Sequence, residues 1–220
     1  MAARSTVVIF ANTTHNTLLI KVGEDLAHGE WTAEPPGEIG PGAQVQWSSE
    51  SNGFLTGTEG WVRYLPVDAN SDNIGIPSPT PDSETVYIHW DNPYAGSNSY
   101  NETAPPPYQV SQQSPGSGDN ATVTFALGGA YGPNTCGTGY VWRGASPNDL
   151  VCVLSATRDQ AAYDNSQAAS RVNSNGAYGP DTCIQGYVWR EAFPGDHVCV
   201  TPETRAQAAS DNSEAAKTLL

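Results

Sequence analysis

The chain has 220 residues, rich in glycine (22) and proline (17), with six tryptophans and only 15% charged residues. That profile suits an all-β secreted or surface protein with one full core and a smaller appendage. The formal net charge is −14, and residues 1–128 hold three basic residues (Arg4, Lys21, Arg63) against fourteen acidic ones. Nucleic-acid binding needs a basic footprint and is excluded, and electrostatic adhesion to anionic lipid is disfavoured.

Residues 6–11 (TVVIFA) read as a strand, 12–16 as a turn and 17–22 as a second strand, so the pair is expected to form a hairpin. The apolar run Val7–Ala11 is too short for a transmembrane helix or for the core of a signal peptide. The expectation is an extracellular or cell-surface protein whose export signal was removed, or one released by lysis or another route. Residues 24–43 read as a loop paced by Gly29, Pro35, Pro36, Gly37, Pro41 and Gly42. In 44–48, Val45 and Trp47 share one face of a strand. Residues 49–60 are turn-rich, 61–67 form a strand, and 68–82 read as an exposed loop. The strand 85–90 (TVYIHW) runs into Asp91-Asn92-Pro93, where Pro93 has no N–H for a ladder. A small-residue loop, 94–100, follows, then a long surface connection over 101–118. The strand 120–127 closes the domain. Short strands separated by turn signals argue for a β-sandwich over 1–128.

Beyond Gly128 the composition changes and a repeat begins. GAYGPNTCGTGYVWR starts at Gly129 and GAYGPDTCIQGYVWR at Gly176, in gapless register: Cys136 and Cys183, Trp142 and Trp189, Cys152 and Cys199 are each 47 apart. The tandem divides into 129–173 and 174–220. Each unit reads as a turn, a strand, a second turn, a VCV strand and an alanine-rich helix starting near Ser155 or Pro202. A cysteine pair flanking a strand–turn–strand in a unit too small for its own core predicts the disulfides Cys136–Cys152 and Cys183–Cys199. A four-thiolate zinc site or free thiols are the rivals, but no closely spaced cysteine pair is present. Arg143 with Asp149, and Arg190 with Asp196, read as ion pairs bracing a hairpin rather than ligand contacts, and Trp142 and Trp189 as core.

His15, His28, His89 and His197 lack metal-ligand spacing. Residues 68–72 open like a calcium loop, yet Asn73 stands where glycine is needed and Pro79 where the bidentate glutamate belongs. No nucleophile elbow, phosphate loop or dinucleotide motif occurs. No catalytic residue, metal or cofactor is therefore assigned, and the expected class is a binding protein, not an enzyme. The candidate site is the corner after the 85–90 strand. There Trp90, Tyr94 and Tyr100, with Trp31 and Trp61, would meet a membrane interface, while Asp91, Asn92 and Asn98 would hydrogen bond a lipid headgroup. Packing of Trp90 in the core, with tyrosines bracing a turn, is the alternative.

Residues 5–128 also resemble the aegerolysin family, in particular its insecticidal-crystal-protein-like bacterial and fungal branch. The resemblance is carried by Val7-Val8-Ile9 with Asn12, His28-Gly29-Glu30-Trp31 with Pro35-Pro36, Ile39-Gly40-Pro41-Gly42, the run from Glu50 to Gly60, and Trp90-Asp91-Asn92-Pro93 with Gly96-Ser97-Asn98. It implies an actinoporin-like β-sandwich, sphingolipid binding and a place in a cytolytic or insecticidal system with a larger pore-forming partner. Two departures stand out: Asn92 replaces the cysteine of fungal members, and the 68–82 loop is expanded. The tandem resembles a short Cys-containing repeat appended to bacterial extracellular proteins. Two other functions follow from the residues: self-assembly into an oligomer or filament through β-edges and repeats, or lectin-like glycan binding through the repeat tryptophans.

Overall fold

The computed structural model describes residues 4–71 and 74–220. The calcium-loop reading falls partly on Asp72 and Asn73, outside the described residues. The chain is mainly β and divides into two compact units, Met1–Pro133 with Leu220, and Asn134–Leu219.

Among its described residues the first unit contains ten strands: β1 (Ser5–Asn12), β2 (Thr17–His28), β3 (Glu30–Ala33), β4 (Glu38–Ile39), β5 (Gln44–Glu50), β6 (Thr58–Asp68), β7 (Val86–Asn92), β8 (Ser99–Thr103), β9 (Tyr108–Gln112) and β10 (Asn120–Gly129). They form two five-stranded sheets, ordered β3-β5-β1-β10-β9 and β4-β2-β6-β7-β8. Every pairing is antiparallel except β1 with β10, which runs parallel with Val8 opposite Val123. Strict alternation decides which side chains go inside. Along β1, alternate residues from Thr6 to Asn12 are buried, and along β7 Val86, Ile88, Trp90 and Asn92 are. One sheet contributes Val8, Phe10, Trp47, Val123, Phe125 and Leu127 to the core, and the other Leu19, Ile39, Val62, Tyr64, Val86, Ile88 and Trp90. Trp47 sits at the centre, with ring centroids 6.2–6.5 Å from Phe10, Tyr64 and Trp90.

The expected hairpin between residues 6–11 and 17–22 does not form. β1 pairs with β5 and β10, whereas β2 pairs with β4 and β6 in the opposite sheet. The intervening turn carries the chain across the sandwich. Asn12 holds this crossing, its buried amide donating to the carbonyls of Thr17 (2.8 Å) and Gly40 (2.9 Å). The expected loop 24–43 also contains the second half of β2, β3 and β4, and the expected connection 101–118 contains most of β8 and all of β9. These segments flank ordered neighbours that supply the ladder, so they need no apolar alternation of their own.

In the second unit, β11 (Val141–Trp142) pairs with β12 (Cys152–Val153) and leads to helix α1 (Ser155–Gln167). The same plan recurs in β13 (Val188–Trp189), β14 (Cys199–Val200) and α2 (Pro202–Glu214). Pro202 occupies the first turn of α2, and the Thr201 hydroxyl caps it by accepting from the Thr204 N–H. Both disulfides are present, Cys136–Cys152 and Cys183–Cys199, with Cα separations of 5.5 and 5.6 Å. One apolar cluster of this unit is four alanines, Ala145, Ala161, Ala192 and Ala208, with Phe193 against them, and Cys152, Val153, Cys199 and Val200 are buried as well. So small a core needs other support.

Buried ion pairs supply some of it. Arg143 Nε lies 2.8 Å from Asp149 and Arg190 Nε 2.7 Å from Asp196, with all four side chains at most 3% exposed. Each arginine also crosses to the other repeat. Arg143 donates to the carbonyls of Ala192 (3.1 Å) and Ala208 (3.3 Å), and Arg190 returns the contact to Ala145 (3.3 Å) and Ala161 (3.5 Å). The paired positions are 47 apart, so the repeats exchange equivalent bonds.

Candidate functional site

One end of the sandwich gathers the residue before β1, the β5–β6 loop (51–57), the β7–β8 loop (93–98) and the β9–β10 loop (113–119). Arg4 ties them together. Its backbone N–H donates to the Ser51 hydroxyl at 3.2 Å and its carbonyl accepts from Ser51 N–H at 2.9 Å. Its guanidinium donates to the Tyr94 carbonyl, lies 5.5 Å from the centre of the Tyr94 ring and pairs with Asp119. Asn98 closes the cluster, donating to the carbonyls of Gly116 (2.9 Å) and Gly118 (3.0 Å). Gly57 lets the 51–57 loop lie against β7: a Cβ there would stand 2.7 Å from Pro93 Cα.

Two apolar side chains crown this end. Phe54 is 90% exposed and its neighbour Leu55 50%. Leu55 is held at φ 59°, a left-handed conformation that costs an L-residue with a Cβ about 1–2 kcal/mol. Tyr94 on the adjacent loop is 39% exposed. Packing elsewhere satisfies the fold, so a strained, solvent-facing Phe-Leu pair is the kind of feature that marks a binding surface.

The sequence-predicted residues fall in four places. Trp90 and Asn92 are fully buried, which removes them from any membrane-facing role. Trp90 Nε1 donates to the Ser49 hydroxyl at 3.0 Å, and the Asn92 amide donates to the carbonyls of Ser5 and Asp119, both at 3.0 Å. They share inward parity with Val86 and Ile88, and that is the physical reason for the correction. Trp31, Asn98 and Tyr100 brace the interior: Trp31 packs on Trp90 at 5.6 Å, Tyr100 meets Phe125 edge-on at 6.3 Å, and the Asn98 amide is used within the loops. Tyr94 alone of the eight stands at the gathered loops and open to solvent. Phe54 and Leu55 join Tyr94 there from outside the predicted set, and their signal in the sequence is two adjacent large apolar residues in a glycine-rich polar turn.

Trp61 and Asp91 lie on the outer face of the second sheet. There Arg63 sits 4.5 Å from the Tyr87 ring centre and 5.5 Å from that of Trp61, and pairs with Asp82 at 3.0 Å. Glu59 stands 3.2 Å from His89 Nε2 and 3.8 Å from His28 Nε2. Burial, and then the charge of Glu59, push the Asp91 carboxyl above its ordinary range, against a smaller opposite pull from His89 and His28.

The positive charge is fully paired. Each of the nine lysines and arginines has a carboxylate partner: Asp119 for Arg4, Glu24 for Lys21, Asp82 for Arg63, Asp149 for Arg143, Asp159 for Arg158, Asp164 for Arg171, Asp196 for Arg190, Glu191 for Arg205 and Glu214 for Lys217. Among the described residues no group of three or more His, Cys, Asp and Glu side chains is arranged to hold a metal. No described helix is long and apolar enough to cross a membrane. The two disulfides indicate an oxidising, non-cytosolic environment. In the second unit, Trp142 is 39% exposed and Trp189 partly so, which corrects their reading as core.

No known family model matches this chain. An uncharacterised protein of Dictyostelium discoideum is 25% identical over 125 residues, which is 57% of this chain and 10% of that protein. The chain thus spans about a tenth of the length of the relative it matches. Among solved structures, RahU in complex with a TRIS molecule is similar with a TM-score of 0.43 and 17% identity, over 59% of this chain and 97% of that one. The lipid binding protein Nakanori is similar with a TM-score of 0.42 and 14% identity, over 58% of this chain and 72% of that one.

Proposed function

We propose that the first unit is a non-enzymatic lipid-binding module that meets a membrane surface with the end carrying Phe54, Leu55 and Tyr94. The observation that carries this reading is the 90% exposure of Phe54 beside Leu55 on loops locked by Arg4. A rigid apolar tip inserts at the interface without loss of loop entropy, and burying one such side chain is worth about 1.5–3 kcal/mol. The tyrosine hydroxyl and the loop backbone remain at headgroup depth. Because every cation is already paired, the reading takes zwitterionic headgroups rather than anionic ones as the target. The resemblance noted in residues 5–128 narrows that to sphingolipids.

On this reading the chain supplies recognition, and permeabilisation falls to self-assembly or to a pore-forming partner. Secretion is part of the same reading, and the two disulfides support it. Sedimentation with vesicles of sphingomyelin, ceramide phosphoethanolamine or phosphatidylcholine tests it. Pelleting with at least one zwitterionic lipid, lost on Phe54→Ala, is expected; no pelleting with any of them overturns it.

A further inference from the structure

The duplication in the second unit builds one kind of aromatic hollow twice. Trp142 borders a cavity of about 640 Å³ with Pro147, Leu150 and Asn165. At the equivalent positions, 47 residues on, Trp189 borders one of about 910 Å³ with Pro194, His197 and Asn212. Each hollow draws on the other repeat, the first through Val198 alone and the second through Val151 together with Asn134, Ser146, Asn148, Asp149 and Leu150.

These tryptophans are fixed at the surface rather than stored in a core. Trp142 Nε1 donates to the Asn134 carbonyl and Trp189 Nε1 to the Asp181 carbonyl, each at 2.7 Å. The single polar atom of each indole is therefore used, and the Trp189 ring also stacks on His197 at 4.3 Å, so that the two rings form one aromatic platform. Each tryptophan lies opposite a disulfide cysteine in its hairpin, Trp142 with Cys152 and Trp189 with Cys199, so its orientation is stapled. Trp142 is 39% exposed and Trp189 half-buried, although burying either indole further would add apolar stabilisation.

Charge and shape select the ligand class. All six cations of this unit are paired, which leaves none for a polyanion. The rims are polar and uncharged or acidic, with Asn134 and Asn148 at the larger hollow beside Glu191. A pyranose offers the complement: a C–H face to stack on the indole and hydroxyls for amide and carboxylate rims. A matched pair of sites on one rigid unit favours a polymer with a repeating residue, since both can engage one chain. We propose that Trp142 and Trp189 are the platforms of two equivalent binding sites for a neutral polysaccharide.

The full chain would be sedimented with insoluble chitin, cellulose, β-1,3-glucan and α-glucan. Retention by at least one is expected, weakened about tenfold by Trp142→Ala or Trp189→Ala, abolished in the double variant, and kept within about twofold by Trp142→Tyr, which retains a ring. No retention by any polymer overturns the proposal, as does a double variant retained like the wild type. Binding to a proline-rich peptide in place of every polysaccharide also overturns it. Should the alanine variants fail to fold, wild-type NMR decides. Soluble oligomers of the retaining polymer would shift the indole N–H signals of Trp142 and Trp189 and leave those of Trp47 and Trp90 in place; unmoved Trp142 and Trp189 signals overturn it. The outcome is independent of lipid sedimentation.

Discussion

Trp90 on β7 donates its indole N–H across the sandwich to the Ser49 hydroxyl on β5, 3.0 Å away in a fully buried site. Thr58 donates to the same oxygen at 2.6 Å. Ser49 is therefore the polar pin between the two sheets, and Trp90 belongs to the scaffold.

Ser49→Ala removes that acceptor and strands two buried donors. Each stranded donor costs about 1–3 kcal/mol, so a loss of about 2–4 kcal/mol in urea unfolding is expected. Lipid binding measured well below the transition should be unchanged, because the exposed loops do not touch this pin.

Leu55→Gly separates stability from binding. The left-handed backbone at Leu55 is free of penalty for glycine, a relief of about 1–2 kcal/mol, offset by about 0.5–1 kcal/mol of extra chain entropy in the unfolded state. The variant should be slightly more stable by denaturant midpoint yet weaker on vesicles. A less stable variant would show that Leu55 is held by packing.

Removing one member of the Arg143–Asp149 pair should be severe. Arg143→Ala leaves the Asp149 carboxylate buried without its partner and deletes the bonds to Ala192 and Ala208 in the other repeat. A loss of about 3–5 kcal/mol is expected in thermal unfolding, whereas replacing both members with apolar residues of similar size should recover most of it. Because the bond crosses repeats, faster hydrogen exchange should appear in α2 as well as in the first hairpin.

Two carboxylates give opposite signs with pH. Burial pushes Asp149 up, but the hydrogen bonds from Arg143 and from the Ala145 N–H outweigh it and hold the carboxyl below its ordinary 3.8. Its stabilisation is present above that value and is lost as pH falls below it. Asp91, pushed up by burial and Glu59, favours the protonated folded state, so its contribution is present at low pH and is lost as pH rises through the raised value. Asp149→Asn should therefore destabilise at pH 7 and match wild type in strong acid. Asp91→Asn should stabilise at pH 7 and match it in acid. Melting temperatures across pH 2–8 check both.

The sandwich and the repeats were legible for a simple reason. Period-two burial marks β1, β5, β6, β7 and β10, and a gapless 47-residue spacing leaves little freedom for the cysteines, the Arg–Asp pairs or the helix starts. What escaped depends on information outside the local pattern. A turn such as 12–16 shows where the chain reverses but not whether it changes sheet. Edge strands like β3, β4 and β8 face water with polar residues and imitate loops. The place of Trp90 is itself written in the strand's parity, since counting alternate residues from Ile88 puts Trp90 and Asn92 inside and Tyr87, His89 and Asp91 outside. Phe54 and Leu55 belong to no alternating strand, so only their company of glycines and polar residues betrays their exposure. Trp142 and Trp189 escape because tryptophan is usually buried, and that expectation weakens in a unit where disulfides and buried ion pairs share the work of a small core.

The central claim rests on the loop-borne apolar tip and is tested by sedimenting the protein with sphingomyelin-containing zwitterionic vesicles, comparing wild type, Phe54→Ala with Leu55→Ala and Tyr94→Ala combined, and Ser49→Ala. Wild type and Ser49→Ala are expected to pellet alike, and the triple variant to lose at least tenfold in affinity, the amount set by about 1.4 kcal/mol or more of lost apolar insertion. A triple variant that pellets with the same affinity as wild type would contradict the account.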